Sequence, residues 1–384
     1  MDNTSFDDIR AYRDDEIPAA VQRIADDPLL APAVRFAFPG MDIEAVRAAI
    51  RSCRTTEQIQ RKIMYPVIKR ILDSSVAGLD SCGTENVTPE GGQLFISNHR
   101  DIVLDAFLLQ FVLFTHSLPT TDIALGDNLL HPQLVADIFR VNHMVKVIRK
   151  DDIPPREFLE NSRHLTEYIR MRIESGRKVW IAQRNGRTKD GRDATDQGLL
   201  KMLGMSGTGD FERDFGQLKI TPVSISYQYE TCDVQKALEL TERMSGTPYR
   251  KRPNEDFYSI ISGILSPKGD IAIAVCQPIE GEELHAMGAM PRPDAYKALT
   301  DAIDRRIIDN YRLHDTNYIA HDILHGSRRF ADRYTAAQEQ AFRSRLAAAE
   351  SHFGEAAESA DTAKTAREIY LGIYANPIDA KQHA

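Results

Sequence analysis

Residues 95–110, FISNHRDIVLDAFLLQ, change character within a few positions. Leu94 to Ser97 read as a short, wholly buried strand, bounded abruptly by polar residues. Asn98-His99-Arg100-Asp101 end it, and an apolar helix is predicted over Ile102 to Phe114. A strand that breaks into a polar turn and returns as a helix is the repeating unit of an α/β layer fold. The turn itself carries chemistry. An imidazole leaving a strand end can take a proton from a hydroxyl, and a nearby carboxylate can orient the ring and stabilise the imidazolium as it forms. Asp101 and Asp105 both stand close enough in sequence to do so. They are four residues apart and would share one helix face.

Working outward, strands are predicted at Thr121 to Leu125, Met144 to Ile148, Lys178 to Ala182, Ile220 to Ser226 and Asp270 to Val275. Helices are predicted at Gln133 to Arg140, Pro155 to Glu174 and Gln197 to Leu203. Strands rich in Ile and Val without strict alternation fit a sheet covered on both faces. The fold class is therefore α/β, a mixed sheet flanked by helices. Residues 1–80 read as an N-terminal helical region, with Asp42 and Thr55-Thr56 as helix starts and Pro39-Gly40 as a turn. Residues 81–280 form the α/β domain. Residues 281–384 are a helical extension, with helices at Ala295 to Tyr311, Tyr318 to His325, Ala336 to His352 and Thr362 to Tyr374, and a solvated connection over His352 to Thr362.

The 384 residues, 42% hydrophobic and 27% charged, describe a globular chain able to bury a core of ordinary size. The four cysteines are scattered, as expected in a reducing compartment. The acidic start MDNTSFDDIRAYRDDE does not read as a signal peptide, and no run approaches the roughly 20 apolar residues that span a bilayer. The expected location is cytoplasmic, with peripheral contact at the inner face of the membrane through an apolar helix face within residues 1–75. A net charge of −8 argues against nucleic acid as a partner.

Four blocks follow in order. The first is NHRDIVLD. The second, residues 125–150, runs from Leu125-Gly126-Asp127-Asn128 through a helix to a strand that closes on Arg149-Lys150. The third, VWIAQRNGRTKDGRD at residues 179–193, takes a buried strand into a loop bearing Arg184, Arg187, Lys189 and Arg192. The fourth, ITPVSISYQYE, is a strand with a proline near its start. Together they resemble the four motifs of the glycerolipid acyltransferases, the superfamily of glycerol-3-phosphate and lysophosphatidate acyltransferases. His99 and a following Asp match the His/Asp motif, and Gly126-Asp127-Asn128 with Arg149 match the second block. Gly186-Arg187-Thr188-Lys189-x-Gly191 matches the third, and Thr221-Pro222-Val223 the fourth. The resemblance covers roughly residues 85 to 280.

Two positions depart from the family pattern. The family spaces His and Asp by four residues, whereas five separate His99 from Asp105. On a regular helix one extra residue turns a side chain by roughly 100°, so either the turn after His99 is wound differently or Asp101 takes the orienting role. The family also carries a Glu before the glycine of the third block, where this chain has Asn185.

The resemblance implies an O-acyltransferase moving a fatty acyl group from acyl-CoA or acyl carrier protein to a hydroxyl of glycerol 3-phosphate or lysophosphatidate, in phospholipid biosynthesis. His99 would be the base, with Asp105 or Asp101 orienting it and no acyl-enzyme. Arginine forks match phosphate oxygens, so Arg149 with Gly186, Arg187, Thr188 and Lys189 would hold the acceptor. The alternative is a non-catalytic binder of anionic lipid or a phosphometabolite on the same scaffold. No cofactor or metal is expected: His321 and His325, at i and i+4 with His314 nearby, lack a placed third ligand. Gly204 to Gly209 read as a flexible connection, and Leu104, Phe107, Leu108 and Phe111 as helix core.

Overall fold

The computed structural model describes residues 5–149, 153–244, 249–252, 254–356 and 359–383; Lys150, at the end of the second block, lies outside them. Seven strands form one sheet among the described residues: β1 (Val76–Cys82), β2 (Gln93–Ser97), β3 (Thr121–Gly126), β4 (Met144–Val147), β5 (Lys178–Ala182), β6 (Ile220–Tyr227) and β7 (Gly269–Val275). Their order is β1-β7-β6-β2-β5-β3-β4. Every neighbouring pair is parallel except β6 and β7. The six predicted strands are present within a residue or two of their expected ends. β1 was not expected. It is an edge strand with no fully buried residue, so its sequence VAGLDSC carries no hydrophobic pattern to announce it.

Before the sheet come α1 (Ile17–Asp26), α2 (Leu30–Ala37), α3 (Ile43–Arg51), α4 (Thr56–Ile59) and α5 (Tyr65–Ser75), with a wider π-type turn over Gln60–Met64 joining the last two. Asp42 caps α3 through the Glu44 amide, and Thr55 caps α4 through the Gln58 amide, as their side chains predict. The sheet's own helices are α6 (Leu104–Thr115), α7 (Gln133–Arg140), α8 (Pro155–Glu174), α9 (Gln197–Leu203) and α10 (Phe211–Gly216). Between β6 and β7 stands a pair the sequence reading omitted, α11 (Asp233–Met244) and α12 (Glu255–Leu265). After β7 come α13 (Gly281–Gly288), α14 (Arg292–Asn310), α15 (Asp315–Leu324), α16 (Ala336–Ala356) and α17 (Ala360–His383). The connection expected over His352 to Thr362 is thus mostly helix: α16 continues to Ala356 and α17 starts at Ala360. The Gly204 to Gly209 stretch is not a loose connection either. The Thr208 and Gly209 amides donate to the buried Asp214 carboxylate at 2.7 and 2.9 Å.

The strands bury both faces. On β2, Phe95 joins a core shared with α1, α5 and α6, while Leu94 and Ile96 join a core shared with α8, α9 and α14. Alternate side chains of a strand point to opposite faces, so one strand serves two cores. Phe107 and Leu108 lie in the first core with Phe111 packed against it, and Leu104 is buried, which is the helix-core role expected of them. A third core joins α11 to α15, α16 and α17.

His314 pins the C-terminal helices to β6. Its ring accepts from the Asn317 amide as the cap of α15, and its Nε2 lies 3.2 Å from Ser226 Oγ. Burial pushes the ring down to about 4. The unfolded chain therefore takes up the proton first. The stabilisation is complete above about pH 6.5 and is lost as pH falls toward 4. At pH 5 this single group should cost about 2 kcal/mol relative to pH 7. Thermal melts of His314→Asn, which keeps a capping side chain without a titrating one, should fall less steeply between pH 7 and 5; an unchanged slope would refute the assignment.

Candidate active site at the carboxyl edge of the sheet

Strands β2, β3, β4, β5 and β6 run parallel, so the four sequence blocks all leave the sheet at one edge. The connection from β2 goes to β3 on one side, and the connection from β5 goes to β6 on the other. Such a reversal opens a crevice beyond the carboxyl ends of the strands. His99 stands there, two residues past β2, with its side chain 14% exposed.

The partner of His99 is Asp105, its Oδ2 lying 3.0 Å from His99 Nδ1. The extra residue in the spacing is absorbed before the helix begins. Residues 100–103 form a bend, α6 starts at Leu104, and the Asp105 carboxylate turns back over that bend. Its Oδ2 also accepts the Arg100 and Asp101 amides at 2.7 and 2.8 Å, and its Oδ1 accepts the Tyr227 hydroxyl at 2.8 Å. This carboxylate is wholly buried and held from four directions. Burial, with the Asp105 charge adding to it, raises the Tyr227 hydroxyl well above its ordinary value, so Tyr227 donates and does not ionise. Asp101 has another task. Its Oδ1 accepts the Val103 and Leu104 amides, both at 2.9 Å, which caps α6. Its Oδ2 has no hydrogen-bond partner among the described residues and faces Gly263 of α12, where any Cβ would collide with it. The carboxylate that Asp101 presents is turned to α12, not to the imidazole.

The third block folds as a loop tied to the first. The Thr188 amide donates to the His99 carbonyl at 2.7 Å, and the Thr188 hydroxyl donates to Asp193 at 3.0 Å. Gly186 turns the chain in the left-handed region at φ 76°. Arg187 donates to Ser259 Oγ of α12 at 3.2 Å, while its Nη1 is buried and has no hydrogen-bond partner among the described residues. Burial works against the Arg187 charge, but Cys232, Asp101 and Glu239 nearby more than offset it. Gln183, wholly buried at the head of the loop, likewise leaves both amide atoms unpartnered among the described residues. From the second block, Arg149 lies over Gly126, where its Cδ is 3.3 Å from the position a Cβ would take. A Cβ at Gly126 would crowd the arginine stem and would collide with Asn128 Oδ1, 2.6 Å away. The Lys189 amine pairs with Glu239 of α11 at 2.9 Å. Burial lowers its proton affinity in spite of that partner. A lysine committed in this way braces the loop against α11.

Beneath this surface lies a buried ionic cluster that the sequence reading missed. Arg100 donates to both oxygens of Asp193, at 3.1 and 2.6 Å, to Glu230 at 3.3 Å and to the Gly191 carbonyl. Lys236 bridges Glu230 and the Arg100 carbonyl at 2.5 and 2.6 Å. Asn98 joins Asp193 to the β6 backbone at Ile225. Asp193 closes the third block and Arg100 follows His99, so a charged pair was visible in the sequence; nothing local said that the two would meet. Among the described residues no group of three metal-ligating side chains comes together, and the rings of His321 and His325 pack tilted at 49° with centroids 4.4 Å apart. Two cavities lie away from His99. One of about 270 Å³ opens at the opposite edge of the sheet beside Arg10, His143 and Arg177, and one of about 490 Å³ lies between α11, α12 and α16.

No curated protein sequence matches this chain. Its fold is similar to the crystal structure of the 1-acyl-sn-glycerophosphate (LPA) acyltransferase PlsC from Thermotoga maritima, with a TM-score of 0.40 and 11% identity over 76% of this chain and 97% of that one. At that score the likeness carries no weight of its own. A family model described as Acyltransferase matches residues 79–226. That span runs from β1 to the end of β6 and holds His99, Asp105, the second and third blocks and the Thr221-Pro222-Val223 strand. The match over residues 79–226, together with the placement of His99 and Asp105 at one edge of the sheet, supports an acyltransferase domain in that span.

Proposed function

We propose that this acyltransferase moves a fatty acyl group from the thioester of acyl-CoA or acyl carrier protein to a hydroxyl of glycerol 3-phosphate or lysophosphatidate. The observation that carries the reading is the His99–Asp105 pair. Asp105 receives Nδ1 and leaves Nε2, on the partly exposed side of the ring, without a hydrogen bond among the described residues. In that tautomer Nε2 takes the acceptor's hydroxyl proton as the oxygen attacks the thioester carbonyl. The tetrahedral intermediate then expels the thiolate, the C–S bond breaks, and the proton on Nε2 passes to the sulfur. Asp105 stabilises the imidazolium between these two steps. No acyl-enzyme is needed.

Arg187 is the group we assign to the acceptor's phosphate, with the Gly186 turn and Thr188 setting its loop and Arg149 approaching from β4. The buried Nη1 of Arg187 is a donor with nothing to donate to among the described residues, which supports that role. Lys189, held by Glu239, serves that loop from behind. Incubation with acyl-CoA or acyl carrier protein and a panel of phosphorylated and unphosphorylated acceptors, with lipid product analysis, tests the whole reading. Arg187→Ala should raise KM for the phosphorylated acceptor at least tenfold and leave KM for the donor within about twofold, since a charge-assisted contact is worth about 1.5–3 kcal/mol. Equal effects on both substrates would assign the loop to the donor instead.

A further inference from the structure

Helix α12 has two faces with opposite commitments. Its inner stripe belongs to the site: Asp256 accepts from Asn128 at 2.7 Å, Ser259 accepts from Arg187, and Gly263 meets Asp101. Spacings of three and four residues put these positions on one side of the helix. The outer side carries Phe257 and Tyr258, 55% and 66% exposed, and Leu265, with Met244 at the end of α11 70% exposed. The two aromatic rings lie edge to face, 6.0 Å apart. Large apolar groups clustered in this way mark an interaction surface.

What the surface fits is decided by charge. Arg250, Lys251 and Arg252 precede α12 and are all exposed. The acids of the same segment are occupied: Asp256 holds Lys251 at 2.5 Å, and Glu255 takes the Tyr249 hydroxyl and the Arg252 amide. Arg250 and Arg252 therefore make no ion pair among the described residues. A chain of net charge −8 presents here a locally basic segment, three cations (Arg250, Lys251 and Arg252) against two carboxylates (Glu255 and Asp256), beside exposed Phe257, Tyr258 and Leu265. Basic residues flanking exposed aromatic and aliphatic groups are the chemistry of a helix that rests in the headgroup layer. No helix of the described residues is long and apolar enough to cross a membrane.

We propose that the outer face of α12, with Arg250 and Arg252 at its approach, docks on the surface of an anionic lipid bilayer. Taken with the proposed reaction, on which this orientation rests, docking would hold the Arg187 and Asp101 side of the site one helix away from the headgroups, within reach of the layer that supplies a lipid acceptor. The N-terminal helices also expose Leu29, Phe36 and Met41, which makes them the control surface.

The test is flotation of the full chain with vesicles of phosphatidylcholine alone and with anionic phosphatidylglycerol added, at low and high salt. Binding should require the anionic lipid and be released by salt. Arg250→Glu with Arg252→Glu, and separately Phe257→Ser with Tyr258→Ser, should each reduce vesicle binding roughly tenfold or more. Both variants should keep the parent's circular dichroism and its turnover with a water-soluble acceptor, so failure of the surface is read apart from failure of the enzyme. Phe36→Ser should bind as the parent does. Binding that survives both α12 variants, binding lost with Phe36→Ser alone, no binding to any vesicle, or a dimer in solution that Phe257→Ser with Tyr258→Ser dissociates would each overturn the proposal.

Discussion

His99→Ala is expected to lower kcat by about a thousandfold, with KM for both substrates nearly unchanged, because general-base catalysis contributes typically 10² to 10⁴. Asp105→Asn should cost about a hundredfold in kcat while the fold survives. An Asn oxygen can still accept the Arg100 and Asp101 amides, and its amide can face the Tyr227 hydroxyl, but it offers no charge to the imidazolium. Asp101→Asn separates the two carboxylates. Asn caps helices as well as Asp, so this variant should keep activity within about threefold of the parent. A large kcat loss for Asp101→Asn together with a mild one for Asp105→Asn would reverse the assignment made from the hydrogen bonds.

The second large effect is on stability. Asp193 accepts from Arg100 Nε and Nη2, Asn98 and Thr188, and Arg100 is buried with its guanidinium 5.2 Å over the Tyr311 ring. Removing one member of a buried pair leaves the other as an uncompensated charge in a medium of low polarisability, which typically costs 3–5 kcal/mol. Asp193→Ala should therefore lower the urea midpoint by the equivalent of about 3–5 kcal/mol. Replacing Arg100 by Met in the same chain should recover part of that loss, since no charge is then stranded. The single variant should also lose activity, because Asn98 and Thr188 flank His99. A midpoint change equivalent to less than about 1 kcal/mol would mean that water or Glu230 compensates Arg100 fully.

The layout of the parallel sheet was legible because it is written locally. A short apolar run, a polar break and an amphipathic stretch repeat from Leu94 to Leu203, and each strand is covered on both faces, so its composition alone marks it. The four blocks were legible for the same reason: each is a strand end with its loop, and parallel strands bring such ends to one edge whatever their order in the sheet. β1 escaped because an exposed edge strand needs no hydrophobic pattern, and α11 and α12 because their packed faces are narrow. The third core, joining α11 to α17, brings together segments more than a hundred residues apart.

Which carboxylate serves His99 was decided by tertiary structure alone. The sequence determined that an imidazole and two acids would leave one strand end together, and that cations would cluster after β5. It did not determine how residues 100–103 would wind, and that bend lets Asp105, at an unexpected spacing, reach back while Asp101 caps the helix. The pairing of Lys189 depends on a helix inserted between β6 and β7, whose Glu239 meets its amine. Spacing fixes which residue types share a face or a strand end. Partner choice depends on competing contacts from distant segments, and these exist only once the chain has packed.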